Sequence, residues 1–134
     1  MASQAVTDVG VGLDTDIFDG TVAVPANYFI AWGDGDTVGG ATAAAVSDTV
    51  LQSEQAETGG GRVAATVSQP TAKKTRFVAV LTAGAGQVGL LITEAGVFDQ
   101  DQPGGKLVAR YTFAPVLLAL NDTITFTLDV ARSN

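Results

Sequence analysis

The sequence contains no cysteine and no histidine, which limits the chemistry that it can carry. Without cysteine there are no disulfides and no zinc sites built from thiolates. Without histidine, both the Ser-His-Asp and the Cys-His nucleophile systems are excluded. A catalytic site would have to use carboxylates, lysine, tyrosine and serine alone. We therefore predict that the protein is not an enzyme and that it has no cofactor or metal.

Charge is also scarce: charged residues make up 16% of the 134 residues and hydrophobic residues 46%. Seven basic residues face 14 acidic ones, and the net charge is −7. The densest basic group, within residues 73–76, is too small for the clustered footprint that phosphate backbones require. No apolar run approaches the ~20 residues that cross a bilayer, and the N-terminal residues lack a signal-peptide pattern. We predict no nucleic-acid partner and no membrane partner.

Alternation of apolar and polar residues predicts β-strands along most of the chain. The clearest case is residues 123–130, where isoleucine, phenylalanine, leucine and valine alternate with threonine and aspartate. Weaker alternation covers residues 62–68, 76–81 and 107–113, and NYFIAWG (27–33) is aromatic and β-branched. Ser47 is a candidate N-cap for one helical turn that ends at Leu51. About eight strands separated by turn residues indicate an all-β antiparallel sandwich, jelly-roll or immunoglobulin-like.

The core of this sandwich is predicted from the apolar side of the alternating segments. Its predicted members are Phe77, Leu81, Leu90, Leu107, Tyr111, Ile124, Phe126 and Leu128. Trp32 and Tyr28 share one side of a strand with Ile30, which favours a core position over a stacking platform for a ligand.

The chain fits a single domain, with a sandwich over residues 16–134 that follows an N-terminal segment without sustained periodicity. Residues 1–15 are small and polar, with isolated apolar side chains at Val6, Val9, Val11 and Leu13. We interpret this segment as an extended arm that becomes ordered against another molecule. A frayed terminus is an equal alternative.

One stretch, VLTAGAGQVGLLITEAG (80–96), contains the G-x-G-x-x-G spacing of a dinucleotide-binding turn. That site requires a helix after the last glycine, and its N-terminus must face the pyrophosphate. Here only six residues separate Gly89 from Gly96, and a β-branched pair lies among them. We therefore interpret the glycines as turn residues between two strands.

Three acidic clusters and a few carboxylates remain as candidate sites. Residues 14–20, 34–36 and 99–101 resemble fragments of calcium loops, but none ends in the required glutamate. Aspartate and glycine are the usual turn formers and account for all three clusters. Glu54, Glu57 and Glu94 are available for glycoside hydrolysis, although their spacing in the sequence does not pair them.

The most apolar run, FAPVLLAL (113–120), does not alternate. It therefore lies either in the interior of the sandwich or beneath a neighbouring subunit. We favour the second alternative and predict an oligomer interface at Pro115, Val116, Leu117, Leu118 and Leu120.

Two stretches resemble a family of small structural proteins of tailed bacteriophages. The first, DIFDGTVAVPANYFIAWG (16–33), is similar to a pattern in which an aromatic-Gly-Thr entry and a proline precede a "Y-hydrophobic-A-W-G" strand. SDTVL (47–51) with Glu54 resembles the segment after the following loop, and Arg62 stands where the next strand begins. The second stretch, ITEAGVFD (92–99) with GGKLVAR (104–110), resembles a hairpin of the family. FAPV (113–116) and NDTITFTL (121–128) complete the resemblance.

The resemblance implies a virion structural protein, and we expect a capsid decoration (cement) protein on the outside of the capsid lattice. Its partners would be the major capsid protein, contacted by the N-terminal arm, and its own copies in a dimer or trimer. It would be made in the host cytoplasm. A tail, baseplate or fibre-associated structural protein is the first alternative. A carbohydrate-binding module that uses Tyr28 or Trp32 is the second.

Overall fold

The computed structural model describes residues 3–6, 27–35, 44–45, 47–55, 62–71, 74–101 and 105–131. Together these residues form nine β-strands and one turn of 3-10 helix, Ala85–Gln87. Every strand pairing is antiparallel, and the strands form two sheets. The predicted all-β antiparallel sandwich is confirmed. No described helix is long and apolar enough to cross a membrane.

The strands are β1 (Ser3–Val6), β2 (Phe29–Gly33), β3 (Glu54–Gln55), β4 (Val63–Ala64), β5 (Thr66–Thr71), β6 (Lys74–Thr82), β7 (Leu91–Phe98), β8 (Leu107–Leu117) and β9 (Thr123–Ala131). The large sheet has the order β1-β8-β7-β2, and both β3 and β4 pair with the remaining edge of β2. The small sheet has the order β5-β6-β9. The chain passes from the large sheet to the small one at Ala65, whose N–H donates to the Tyr28 carbonyl at 2.8 Å.

The main core lies between the two sheets. Ile30, Trp32 and Ile92 of the large sheet pack with Phe77 and Leu81 of the small one. Seven of the eight predicted core residues belong to this core or pack against it: Phe77, Leu81, Leu90, Tyr111, Ile124, Phe126 and Leu128. The alternation in β9 is reproduced, because Phe126 and Leu128 are buried and the threonines between them are exposed. The period-two pattern therefore identified the inner face of the small sheet correctly.

Leu107, the eighth predicted core residue, is buried on the opposite face of the large sheet. Val97 is paired with Ala109, but the next residue, Phe98, is paired with Leu107. Val108 is therefore an extra residue in β8, and such a bulge reverses the side on which the following residues point. Leu107 packs with Ala31, Leu51 and Phe98 in a second, smaller apolar cluster. Leu107 is therefore a core residue as predicted, but it belongs to this second cluster and not to the one that Tyr111 packs against.

Both prolines within described strands lie at irregularities in the pairing. In β8, Pro115 falls between the Ile92–Val116 and Glu94–Thr112 pairs, where three residues of β8 face only Thr93. In β5, Pro70 falls between Ser68 and Thr71, where the register with β6 shifts. A bulge accommodates proline because a residue there need not donate a ladder hydrogen bond.

The helical turn predicted for residues 47–51 is not formed. Instead, the N–H of Asp48 donates to the Ala45 carbonyl at 3.0 Å, and its carboxylate accepts the Ala45 N–H at 2.9 Å. These bonds close a turn from Ala45 to Asp48 that contains Ser47, so Ser47 does not cap a helix. Leu51 is then free to enter the smaller apolar cluster on the large sheet.

Four residues of the predicted N-terminal arm form a strand. Ser3–Val6 is strand β1, which pairs with β8 from Thr112 to Ala109 and so belongs to the large sheet. Backbone hydrogen bonds to a neighbouring strand, which sequence periodicity does not report, order this segment. The other three predicted contact residues of the arm, Val9, Val11 and Leu13, lie outside the described residues.

Candidate functional sites

Glu94 is a fully buried carboxylate in the middle of β7, and it binds a loop of the same chain. Its Oε1 accepts the Gln52 N–H at 2.8 Å, and its Oε2 accepts the Ser53 N–H at 2.8 Å. The Nε of Arg110 on β8 donates to Oε1 at 3.0 Å. A buried carboxylate is stable only with such donors and an opposite charge. Glu94 therefore fixes residues 47–55, which we call the covering loop, to the outer face of the large sheet.

Arg110 forms a second contact between the large sheet and the covering loop. Its Nη1 donates to Oδ2 of Asp48 at 3.1 Å, while its Nε contacts Glu94. The Arg110 side chain is 2% exposed and the Asp48 side chain 24%. One guanidinium thus lies between two carboxylates, which gives this buried group its opposite charges on both sides.

Apolar packing completes the attachment of the covering loop. Leu51 is buried against Ala31, Phe98 and Leu107. Gly96 lies beneath it, and a Cβ atom added there would approach the Leu51 and Leu107 methyl groups to within 3 Å. The sheet is therefore shaped to receive this leucine, and the outer face of the large sheet is a second interior layer.

Arg62 makes a separate set of contacts at the neighbouring end of the large sheet. Its Nε and Nη2 donate to the two carboxylate oxygens of Glu54, each at 3.0 Å. Its guanidinium carbon lies 3.5 Å from the centre of the Phe98 ring, and Nη1 donates to the Gln100 carbonyl at 3.2 Å. A bidentate pair stacked on an aromatic ring is a contact that lysine cannot reproduce. These bonds fix the end of the covering loop.

The carboxylates of this cluster are arranged for structure rather than for acid-base catalysis. Both oxygens of Glu94 and both oxygens of Glu54 accept hydrogen bonds from the protein itself. A general acid or base needs an oxygen that reaches a substrate proton. Glu57, the third carboxylate considered from the sequence, lies outside the described residues.

Two of the described aspartates in the acidic clusters, Asp34 and Asp99, accept hydrogen bonds from the protein itself. Oδ1 of Asp34 accepts the Ser53 hydroxyl at 2.8 Å and the Gln55 side-chain amide at 2.9 Å. Oδ1 of Asp99 accepts the Lys106 N–H at 2.6 Å and so closes the β7–β8 connection. Within the described ranges, no group of three or more acidic side chains is positioned to hold a metal ion. The cluster at 14–20 lies outside those ranges.

The glycine-rich stretch of residues 84–89 is a turn between strands, as predicted. It contains one turn of 3-10 helix, Ala85–Gln87, and Gly89 has a φ of +84°. The chain then enters β7 at Leu91, so a strand stands where a dinucleotide site needs a helix. A positive φ is the conformation that glycine adopts most readily.

The two aromatic side chains considered for ligand stacking differ in exposure. Trp32 is fully buried and meets the Phe126 ring edge-on, with ring centres 6.5 Å apart. Tyr28 is half-buried and packs against Phe77 at 5.3 Å. The Trp32 ring therefore has no open face for a sugar, and its predicted core position is confirmed.

Part of the predicted oligomer interface lies at one end of the sandwich, where two turns run side by side. The Gly89 N–H donates to the Leu118 carbonyl at 2.9 Å, and the Leu118 N–H donates to the Leu90 carbonyl at 3.0 Å. Four large apolar side chains on these turns and on the adjoining end of β8 are exposed by 40–66%: Val88, Val116, Leu117 and Leu120. We call these four residues the apolar end. Exposed apolar side chains grouped in this way are typical of contact surfaces.

Leu118 does not belong to that surface. It is 2% exposed and packs in the main core, so its predicted role at an interface between subunits is corrected. The bulge at Phe113–Pro115 and the end of β8 at Leu117 break the alternation of the run, and the chain turns inward at Leu118. Pro115 is exposed, as an interface residue would be.

Tyr111 and Asp129 connect the two sheets at one side of the sandwich. The Tyr111 hydroxyl donates to the backbone carbonyl of Asp129 at 2.7 Å. Burial, and secondarily the negative charge of Asp129, raises the pKa of Tyr111. The Asp129 carboxylate accepts two hydrogen bonds from Arg76, at 2.8 and 3.1 Å, and this contact lowers its pKa. Tyr111 therefore remains protonated and holds β9 beneath the large sheet.

The polar cluster around Glu94 was missed in the sequence, although a signal was present. LITEAGVF and LVARYTF each place a single charged residue, Glu94 and Arg110, within an otherwise apolar strand. A charged residue in such a position implies a buried partner of opposite charge. Alternation alone would instead place that residue on the solvent-exposed face of the strand. The sequence matches no protein-family model and no curated protein.

Proposed function

We propose that the protein is a structural component of a tailed-bacteriophage particle, and specifically a decoration protein on the outside of the capsid. The proposal rests first on the resemblance carried by residues 16–33, 47–54 and 92–110. The architecture is compatible with it, because a two-sheet sandwich with interlocked loops is a rigid building block.

The observation that carries the proposal is the position of the resembling residues. Asp48, Glu94 and Arg110 come from two segments that are far apart in the sequence, and they meet in one hydrogen-bonded cluster. Leu51, from the same segment as Asp48, is buried against Phe98 on the large sheet. The motifs of the resemblance therefore describe a single structural unit rather than scattered turns. A unit whose buried carboxylate accepts hydrogen bonds on both oxygens from the protein itself supports a structural role better than a catalytic one.

The apolar end is the surface through which the protein would contact a neighbouring copy in the particle. Its four side chains come from the end of β8 and from two turns that hydrogen bonds hold together, so the surface is formed before any partner arrives. A preformed apolar surface avoids part of the ordering cost of association. Contact of Val6, Val9, Val11 and Leu13 with the major capsid protein remains a prediction.

Stabilisation of the capsid would follow from mass action. A protein that binds the assembled lattice, but not free subunits, shifts the equilibrium toward the assembled state. Contacts between neighbouring copies add avidity, because the second contact forms at a high local concentration. The net charge of −7 would keep unassembled copies soluble before they bind.

The copy number of this chain in purified particles tests the proposal. We expect hundreds of copies in a simple ratio to the major capsid protein, measured by quantitative mass spectrometry with labelled standard peptides. A few to a few tens of copies would indicate the alternative role, a tail, baseplate or fibre-associated protein. Absence from particles would contradict both.

A matched pair of variants tests the apolar end. Leu117 is 66% exposed at the apolar end, and Val50 is 65% exposed on the covering loop. We expect Leu117→Ser to reduce occupancy on particles, whereas Val50→Ser, with the same exposure, retains it. Equal occupancy for the two variants would show that the apolar end makes no contact in the particle.

A further inference from the structure

The small sheet has one long edge that carries no neighbouring strand. Strand β9 pairs with β6 over nine consecutive residues, from Thr123 to Ala131, without a register shift. Within the part of the chain that the structure describes, no strand pairs with the other side of β9. The backbone N–H and C=O groups on that side are therefore available to a further strand.

Two other edges are interrupted, that of β5 and that of β2, and a third is formed by the short strand β1, whereas β9 is long and continuous. In β5, the opposite edge of the small sheet, a register shift and Pro70 break the ladder. Along the edge of β2, two strands of two residues each, β3 and β4, replace a continuous one. In contrast, Thr123–Leu128 has no charge and no proline, and consists of β-branched, aromatic and leucine residues. Native proteins rarely leave such an edge uncovered.

We propose that β9 pairs with β9 of a second copy, antiparallel, about a two-fold axis at Thr127. The two three-stranded sheets would then form one continuous six-stranded sheet. With the axis at this residue, all nine positions of β9 are paired and Thr127 faces its own copy. A contact between identical strands about a two-fold axis is self-complementary by symmetry.

The side chains of β9 match in this register. On the inner face, Ile124 lies opposite Val130, and Phe126 lies opposite Leu128, so each apolar residue meets another. On the outer face, Thr125 lies opposite Asp129. Cross-strand neighbours of this kind stabilise a sheet, whereas like charges directly opposite destabilise it.

Two other registers of the β9 pair would be less stable. A slip of one residue would place the inner face of one strand against the outer face of the other. Moving the axis by two residues, to Asp129, would bring the two Asp129 carboxylates directly opposite each other. The axis at Thr127 avoids both faults and also gives the longest overlap.

The edge is held in place before it pairs. The Tyr111 hydroxyl donates to the Asp129 carbonyl at 2.7 Å, and Arg76 on β6 binds the Asp129 side chain. A carbonyl oxygen has two lone pairs, so the Tyr111 bond leaves one acceptor site. An anchored strand loses little conformational freedom when a partner strand binds.

Single cysteines test the register directly, because the chain has no cysteine of its own. Directly opposite residues have Cβ atoms about 4.5–5.5 Å apart, close enough for a disulfide after a small adjustment. We expect Thr127→Cys to form a covalent dimer on mild oxidation. In Thr125→Cys the two sulfurs would be offset by four residues, about 13 Å along the strands, and should not cross-link.

Sedimentation equilibrium tests the association without a covalent bond. We expect a monomer–dimer equilibrium for the unmodified protein, and Thr127→Glu should raise its dissociation constant roughly five-fold by placing like charges at the axis. Thr66→Glu, an exposed position on β5, is the control and should leave the constant unchanged. Circular dichroism would establish that each variant is folded.

Several results would overturn the proposal: a monomer at every concentration, equal cross-linking of the two cysteine variants, or a dimer that Thr127→Glu does not weaken. A dimer lost in Leu117→Ser instead would assign self-association to the apolar end. The inference concerns the isolated protein and does not rest on the capsid role. Its failure would therefore leave the copy-number test of that role unaffected.

Discussion

Replacing Glu94 with glutamine tests whether this buried carboxylate holds the covering loop to the large sheet. The substitution keeps the shape of the side chain but exchanges one acceptor oxygen for an NH₂ group. That group would face the N–H of Gln52 or Ser53, so two donors would meet where a donor and an acceptor meet now. Arg110 would also lose its fully buried counter-charge.

The expected loss of stability follows from these contacts. A hydrogen bond to a charged group contributes about 1.5–3 kcal/mol, and removal of one partner from a buried ion pair costs about 3–5 kcal/mol. Glutamine keeps one acceptor oxygen, and Asp48 stays beside Arg110. We therefore take the lower end of the range for a broken buried ion pair. We expect the free energy of unfolding to fall by about 3 kcal/mol, a large part of the ~5–15 kcal/mol typical of a domain.

Urea unfolding at neutral pH measures this loss, with amide hydrogen exchange at Ser53 as a local readout. The control is Glu54→Gln, because the Glu54 side chain is 27% exposed and its pair with Arg62 is partly hydrated. We expect about 1 kcal/mol for the control. A loss below about 1 kcal/mol for Glu94→Gln, with unchanged exchange at Ser53, would refute the assignment of Glu94 as the residue that fixes the loop.

Three further predictions concern the side of the sandwich, its core and its close contacts. Burial and a neighbouring carboxylate raise the pKa of Tyr111 above the value of about 10 in unfolded chains, so its stabilisation is complete below pH 10 and is lost above it. The urea midpoint should therefore fall above about pH 10, and less so in Tyr111→Phe; parallel pH profiles would contradict this. Leu118→Ala should cost about 2–4 kcal/mol and Leu117→Ala under about 1 kcal/mol, measured by urea unfolding, because only the first side chain is buried. Equal losses would show that Leu118 is not in the core. Gly33→Ala should destabilise the protein strongly in thermal unfolding, since its Cβ would lie 2.5 Å from a loop carbonyl oxygen, whereas Gly86→Ala, with open space, should change little.

The strands were predictable because their pattern is local. In β9 and β6 one face is more buried and the other is more exposed to solvent, so alternation of apolar and polar residues in the sequence identifies the buried face directly. The same rule placed Leu107 in the core correctly but failed to predict on which face of the large sheet it is buried, because a bulge at Val108 reverses the faces and hydropathy does not reveal the bulge. It failed again at Leu118, where the strand ends and the chain turns into the core.

The candidate surfaces also include one part that the sequence predicts and one that it does not. The exposure of Val116, Leu117 and Leu120 was anticipated from an apolar run that does not alternate. The polar cluster was not anticipated, because Glu94 lies 42 residues from Gln52 and 16 residues from Arg110 in the sequence. The pairing of β7 with β8 brings Glu94 to Arg110, and the packing of the covering loop on the large sheet brings Gln52 to Glu94.

The sequence by itself determined the class of fold, the inner face of the small sheet and the exclusion of histidine and cysteine chemistry. These properties depend on composition and on the orientation of neighbouring residues along one strand. The tertiary structure alone decided that the outer face of the large sheet is an interior and that Arg110 pairs there with carboxylates from distant segments. It also decided that, among the described residues, no strand pairs with the second side of β9. Burial and strand order depend on which distant segments are in contact. Periodicity within one segment does not reveal those contacts.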